Sequence, residues 1–307
     1  MKILLRYRQD YHKDKWVPSY CDYMRRALLN LGHDVYPVGE GHNWQLPGSP
    51  HPIIHDQLNP DYFDLLLELD NGRNQKGELG FGEYSEIKIP KAVWFIDSHG
   101  QPDLHQTIAR KYAHVFFAVY SRRDLFAKHP SAFWCPNATE PVAFPKALCE
   151  PACDFGFFGS KGGLARADAL KAIAERRGWS TDIRQINGPF KPKWPYTAEA
   201  MGNCAALFNH GQKHDGPNLR VLESMAVGRP LITDVDDQSG MGQLFTAGEH
   251  YLGYTAYSHD GLEEAMAECI KRPADAATMA QKAYELVMSR HLVKNRAEQI
   301  MEVVGGK

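Results

Sequence analysis

Asp215 and Glu223, two acids with seven residues between them, bound the segment of this chain richest in chemistry. Between them run Gly216-Pro217-Asn218-Leu219-Arg220-Val221-Leu222. Asp215 or Gly216 can cap a helix there, and Pro217 suits its first turn, where the missing N–H would be an orphan anyway. Free N–H groups and the positive dipole end at Gly216, Asn218 and Leu219 would suit a phosphate. Glu223 would fall about two turns into that helix among apolar neighbours, where a carboxylate needs a partner. Sugar hydroxyls are suitable partners, because a carboxylate accepts two or more hydrogen bonds. The plain alternative is a capped amphipathic helix with Glu223 paired to a surface arginine.

Other candidates stand where apolar runs end. Gly159-Ser160-Lys161-Gly162-Gly163 follows Asp154-Phe155-Gly156-Phe157-Phe158. It is not GxGxxG and lacks the GKS or GKT ending of a P-loop, yet several N–H groups with Lys161 can cradle phosphate charge. A flexible turn with a surface lysine fits as well. Asp97-Ser98-His99 ends the run Lys91–Ile96, and Asp70-Asn71-Gly72 and Ser121-Arg122-Arg123 end two others. In open parallel sheets ligands bind beyond the carboxyl ends of strands, which makes Asp97 and His99 candidates by position. His99 and His105 are six positions apart with no matching acid, so no metal site is expected. Arg8, Gln9, Asp10 and His12 form an opening loop that could touch a ligand or simply face solvent.

These residues need a scaffold, and the pattern supplies one. Ile3-Leu4-Leu5 reads as a strand, and a helix from Pro18 carries Tyr20, Met24, Ala27, Leu28 and Leu31 at helical intervals before Gly32 closes it. Strands follow at 33–36, 62–69, 91–96 and 114–120, with a helix from Ser121. Apolar runs without alternation predict a parallel sheet covered on both faces. A turn-rich stretch, 135–145, then precedes a second set: strands at 154–158, 181–186, 205–209 and 230–234. Helices are expected at 164–177, 196–202, 217–227, 261–270 and from Ala274 to the end. The restart predicts two Rossmann-like domains with a cleft between them and a boundary between 140 and 150.

Composition sets the outer bounds. A chain of 307 residues is long enough for two domains or one large α/β domain. With 35 Lys plus Arg against 37 Asp plus Glu, a uniformly basic nucleic-acid surface is excluded. Lys13, Lys15, Arg25 and Arg26 form a small basic group that could meet an anionic membrane surface or a nucleic acid, or be an ordinary solvated face. The six cysteines do not form a disulfide framework, and Cys149 and Cys153 miss the CxxC spacing; reduced thiols are expected. The N-terminus turns polar too soon for a signal peptide, and no run reaches the roughly 18 apolar residues of a membrane helix. A cytoplasmic location, with peripheral membrane contact as an option, is the expectation.

The segment Asp215–Ile232 resembles the two-acid signature of retaining, GT-B-fold glycosyltransferases of the group 1 type, most closely the CgeB-like (spore maturation protein) branch. The resemblance implies an α/β GT-B fold: two Rossmann-like domains facing across a deep cleft. Residues 1–145 would be the acceptor side and 146–284 the nucleotide-sugar donor domain, with 285–307 crossing back onto the first. It implies that Glu223 binds the nucleotide ribose and that Asp215, one methylene shorter than the commoner Glu, lies against the transferred sugar. Phe157-Phe158-Gly159-Ser160 and then Arg166 look like the family's opening strand and turn. Gly159, Ser160, Lys161 and Arg166 would therefore face the diphosphate, with Lys161 and Arg166 competing for the role. Residues 245–254 and 291–296 resemble the closing helices. Asp97 or His99 would meet the transferred sugar or the acceptor hydroxyl.

The implied reaction moves a sugar from a UDP-, GDP- or dTDP-linked donor to an unidentified acceptor hydroxyl with retention. It would need no metal or other cofactor, because helix N–H groups with Lys or Arg can stabilise the leaving diphosphate. A nucleotide-sugar epimerase of the same fold and a non-catalytic nucleotide-sugar or glycan binder are the alternatives.

Overall fold

The computed structural model describes residues 1–7, 11–12, 15–16, 19–39, 62–70, 88–96, 102–159, 167–186, 194–211 and 217–306. The chain forms two compact units, residues 1–136 with 293–307 and residues 137–292. Breaks expected near 145 and 285 thus fall at 136/137 and 292/293. The first lies earlier because Thr139 N–H donates to the His291 carbonyl at 3.0 Å and Asn137 Nδ2 to that of Pro217 at 3.4 Å. Both partners belong to the second unit.

The first unit opens with β1 (Lys2–Arg6), a small antiparallel pair β2 (Tyr11–His12) and β3 (Lys15–Trp16), and α1 (Tyr20–Asn30). Ser19, not Pro18, caps α1 in a capping box with Asp22, and Gly32 follows it at φ +83°. Then come β4 (Asp34–Val38), β5 (Leu65–Asp70), β6 (Lys91–Phe95), α2 (Pro102–Ala109), β7 (His114–Phe117) and β8 (Ala132–Trp134). The six-stranded sheet runs β4-β1-β5-β6-β7-β8, all parallel. Ile3-Leu4-Leu5, Leu65-Leu66-Leu67 and Ala92-Val93-Trp94 are all buried without alternation along their strands, as two covered faces require. On one face Val93, Phe95, Val115 and Phe117 pack with Ile108 and Ala109 of α2. The Trp94 ring lies 5.3 Å from that of Tyr20 on α1, and its indole N–H donates to the Cys135 carbonyl at 2.9 Å.

Two expectations for this unit fail. The run 114–120 is strand only to Phe117, and residues Tyr120–Phe126 wind as a 3-10 helix rather than an α-helix. The short strand β8, with only half-buried and exposed positions, carries no pattern to find it by.

The second unit contains β9 (Cys153–Gly159), α3 (Asp168–Arg177), β10 (Thr181–Gln185), α4 (Trp194–Gly202), β11 (Cys204–Asn209) and α5 (Leu219–Val227). It continues through β12 (Leu231–Val235), α6 (Met241–Leu244), β13 (Leu252–Thr255), α7 (His259–Lys271) and α8 (Pro273–Arg290). Its sheet, β10-β9-β11-β12-β13, is again all parallel. Phe155, Phe208, Ile232, Leu262 and Met266 belong to its core.

Two further corrections arise here. Residues 252–255, expected among closing helices, are an edge strand in which Leu252 pairs with Ile232. The helix expected from Ala274 to the end is broken at His291-Leu292, where Leu292 forms a bridge with Thr139. The chain then resumes in the first unit as α9 (Val293–Val304), which packs on α1.

All six cysteines are free thiols; Cys21, Cys135, Cys204 and Cys269 are buried, and Cys149 is exposed. Among the described residues no helix is long and apolar enough to cross a membrane.

Gly156 shows how closely β9 and β11 approach. A methyl group there would meet Cys204 Sγ at 2.5 Å and the Phe158 ring at 2.8 Å. Gly156→Ala is expected to cost ~1–3 kcal/mol by overpacking. Urea denaturation reads it, and an unchanged midpoint would mean that the two strands separate freely.

Candidate functional site

The parallel sheet of the second unit sends β9, β11 and β12 out at one edge, and Gly159, Asn209 and Thr233-Asp234 stand at those ends. The helix after β11 begins later than its sequence suggests. Asn218 is its N-cap, in extended backbone at φ −76° and ψ 169°, with Leu219 the first helical residue. Neither Asp215 nor Gly216 fills the cap position, and Pro217 precedes the cap instead of opening the helix. The reason is local: the Asn218 side chain accepts from Val221 N–H at 3.3 Å while its Nδ2 donates to Asn209 Oδ1 at 3.1 Å. One amide thus satisfies an orphan donor and ties the helix start to the end of β11.

Glu223 lies five residues past the cap, closer to the helix start than two turns. It is 7% exposed and pairs with Arg220 one turn earlier. Burial pushes its carboxyl above the usual range and the Arg220 guanidinium opposes that rise. The arginine partner of the plain alternative therefore exists, but the pair is largely buried rather than on the surface.

A small recess opens beside the helix start, lined by Asn209, Gly211, Pro217, Asn218, Val221, Thr233, Asp234, Asp236, Ser239 and Met241. Asn209 Nδ2 donates to Thr233 Oγ1 at 3.0 Å, and Thr233 Oγ1 to Asp234 Oδ1 at 3.3 Å. Gly211 N–H donates to the same carboxylate oxygen at 2.7 Å. Behind it, His210 Nδ1 lies 2.7 Å from the Tyr254 hydroxyl and 3.8 Å from Asp234 Oδ2. Burial, then Asp234, drives the Tyr254 hydroxyl far above its usual range, so it stays protonated. Exposed Tyr257 stands edge-on to His210 and holds φ +65°, the left-handed region that a ring-bearing residue rarely occupies.

Of the catalytic and donor-binding candidates from sequence, the structure describes Gly159, Asn218, Leu219 and Glu223. Asn218 lines the recess, Glu223 does not, and Gly159 ends β9 beside Gln185 of β10. Asp97, His99, Ser160, Lys161, Arg166, Asp215 and Gly216 lie outside the described residues, as do Arg8, Gln9 and Asp10. His105 is a core residue, buried and stacked on Phe95 at 4.5 Å. Among the described residues no group of three or more His, Cys, Asp or Glu is arranged to hold a metal.

Asn209, Thr233, Asp234 and Tyr254 join the site without a motif of their own. A signal existed: Asn209-His210 and Thr233-Asp234 are polar pairs ending apolar strands, as Asp97 is.

The family model described as glycosyl transferase-like matches residues 143–302. No curated protein sequence matches significantly. Sucrose-phosphate synthase from Thermosynechococcus elongatus is similar in structure, with TM-score 0.64 at 12% identity over 99% of this chain and 98% of that one. Anabaena HepE in complex with UDP-glucose gives 0.63 at 14% over the whole of both chains. An alpha-glucosyltransferase in complex with UDP-glucose and DNA containing an abasic site gives 0.65 at 12%, over 99% and 98%. The match over more than half its length and the shared GT-B architecture make this chain a member of the glycosyl transferase-like family.

Proposed function

We propose that this protein transfers a sugar from a nucleoside-diphosphate sugar to an acceptor hydroxyl, with retention of anomeric configuration and without a metal. The observation that carries the reading is Glu223: a buried carboxylate on the helix that follows β11, eight positions after Asp215 in the two-acid signature. Arg220 meets one side of this carboxylate, and because a carboxylate accepts more than one hydrogen bond, ribose hydroxyls suit it as further donors. HepE and the alpha-glucosyltransferase hold UDP-glucose, which supports a UDP-linked donor here. GDP- and dTDP-sugars are the other donors to test.

In this reading the second unit, residues 137–292, binds the donor and the first, residues 1–136 with 293–307, the acceptor. Lys161, Arg166 and N–H groups around Gly159, Ser160, Gly216, Asn218 and Leu219 take the diphosphate and stabilise the charge that grows on it as the glycosidic bond breaks. The acceptor hydroxyl attacks from the face the diphosphate leaves, and a phosphate oxygen takes its proton. Asp215, with Asp97 or His99, orients the sugar for that attack. In this reading the chain belongs to the CgeB-like branch and works in the cytoplasm.

The test is a thermal-shift screen of UDP-, GDP-, dTDP- and CMP-sugars, followed by product analysis with candidate acceptors. A stabilising donor and a glycosylated product with retained configuration are expected. Conversion of donor to its epimer without acceptor would replace transfer by epimerisation. Binding without either product would make the protein a binder, and no shift with any nucleotide sugar would sink the reading.

A further inference from the structure

The recess at the ends of β11 and β12 has a chemistry of its own, and the residues that build it are not those of the two-acid signature. Asn209 is 4% exposed and Thr233 is 2% exposed, yet both contribute to the recess wall. Hydrogen bonds run in one direction, from Asn218 to Asn209 to Thr233 to Asp234, so each donor on the way is fixed. Gly211 N–H fixes the carboxylate from the loop side. Asp234 Oδ1 is thereby held by two donors, while Oδ2 has His210 at 3.8 Å, beyond hydrogen-bond reach. A half-buried carboxylate held this way is a preorganised acceptor.

Charge and size select the occupant. Two carboxylates, Asp234 and Asp236, and no lysine or arginine are among the described residues lining the recess, so a phosphate seated inside it would be repelled and the diphosphate of the reading above lies outside it. The space suits one or two hydroxyl-sized groups rather than a whole ring. Of the groups on a nucleotide sugar's hexose, the hydroxyls are neutral and both donate to a carboxylate and accept from an amide. We propose that this recess is a hydroxyl-reading notch, in which Asp234, backed by Thr233 and Asn209, accepts a hydrogen bond from one hydroxyl of the donor's sugar and so sets sugar specificity. The notch rests on the nucleotide-sugar reading above and adds residues to it. A site built to bond a hydroxyl rejects an analogue lacking it far more strongly than an apolar pocket rejects an extra methylene.

Calorimetric titration of wild type, Asp234→Asn and Thr233→Val with UDP, UDP-glucose and the four mono-deoxyglucose analogues of UDP-glucose tests this, with near-UV circular dichroism confirming the fold. Asp234→Asn keeps an oxygen for Gly211 N–H, and Thr233→Val keeps shape, so each guards against misfolding of the other. Both variants should bind UDP as wild type does and lose about tenfold with UDP-glucose. One deoxy analogue should lose about tenfold on wild type and nothing further on Asp234→Asn, because hydroxyl and carboxylate are partners. Equal losses for UDP and UDP-glucose, additive losses at every deoxy position, or a wild type that gains nothing from the glucose would each overturn the notch while leaving nucleotide binding standing. A sugar increment abolished by EDTA would assign the carboxylates to a divalent cation and overturn it too. Failure of every nucleotide sugar to bind would overturn the transferase reading itself and the notch with it.

Discussion

Glu223→Ala is expected to weaken binding of the nucleoside diphosphate by ~2–3 kcal/mol, since a charged acceptor and its hydrogen bonds are lost together. Equal affinity for variant and wild type by calorimetry would remove Glu223 from the donor site. Stability should move the other way in Glu223→Gln. Burial raises the Glu223 carboxyl above its unfolded value, so the folded state prefers the protonated form. Its contribution is full below the unfolded carboxyl's pKa and is lost as pH rises through the higher folded value. The amide cannot ionise, so Tm of Glu223→Gln minus that of wild type should grow as pH climbs through the carboxylate range and stay level above it. Weaker binding with greater stability is the signature of a group kept for function. A Tm difference that stays flat with pH would mean that Arg220 compensates the charge fully.

The sequence made the strands legible where burial on both faces leaves continuous apolar runs, as in Leu65–Leu69, Lys91–Phe95 and Leu231–Thr233. It hid the elements whose limits depend on partners distant in the chain. His291 ends α8 without a glycine or proline nearby, because Leu292 is held extended by a bridge to Thr139. Nothing local to residue 291 encodes that pairing. The start of α5 is hidden for a similar reason. Asp215, Gly216 and Asn218 are all good caps by type, and Asn218 wins because Asn209, at the end of a neighbouring strand, takes its second hydrogen bond. The two-acid spacing exposed Glu223, whereas Asp234 was concealed: one acid among 37, its role visible only when Gly211 and Thr233 close around it.

Glu68→Ala should be the most destabilising single change in the first unit, at ~3–5 kcal/mol, because it breaks a buried charged cluster on one side only. Glu68 is 0% exposed in the middle of β5, on the row where Arg6 of β1 and Val93 of β6 are its register partners. The Arg6 guanidinium lies 3.8 Å from one carboxylate oxygen, and the Tyr112 hydroxyl donates to the other. Burial, and next the Glu68 charge, pushes the Tyr112 hydroxyl far above its ordinary range, so it remains a donor at any physiological pH. Truncation leaves a cavity among apolar residues and takes the acceptor away from the buried Tyr112 hydroxyl. Tyr112→Phe removes one donor and keeps the volume, so it should cost only ~1–2 kcal/mol. The two losses should fall well short of additive in the double variant, since each removes the same hydrogen bond. Hydrogen exchange of the β5 and β6 amides through a urea series reports on the right unit, because both strands belong to this sheet. A Glu68→Ala midpoint within 1 kcal/mol of wild type, or full additivity, would show that the cluster contributes nothing beyond packing. The consequence for activity follows from placement. β5 and β6 are adjacent, and β6 leads directly to Asp97 and His99. A cluster bridging β1, β5 and Tyr112 braces the strands that lead to Asp97 and His99, the residues proposed above to orient the sugar. Glu68→Ala should therefore lower turnover even at temperatures where the chain remains folded, while leaving nucleotide affinity in the second unit unchanged.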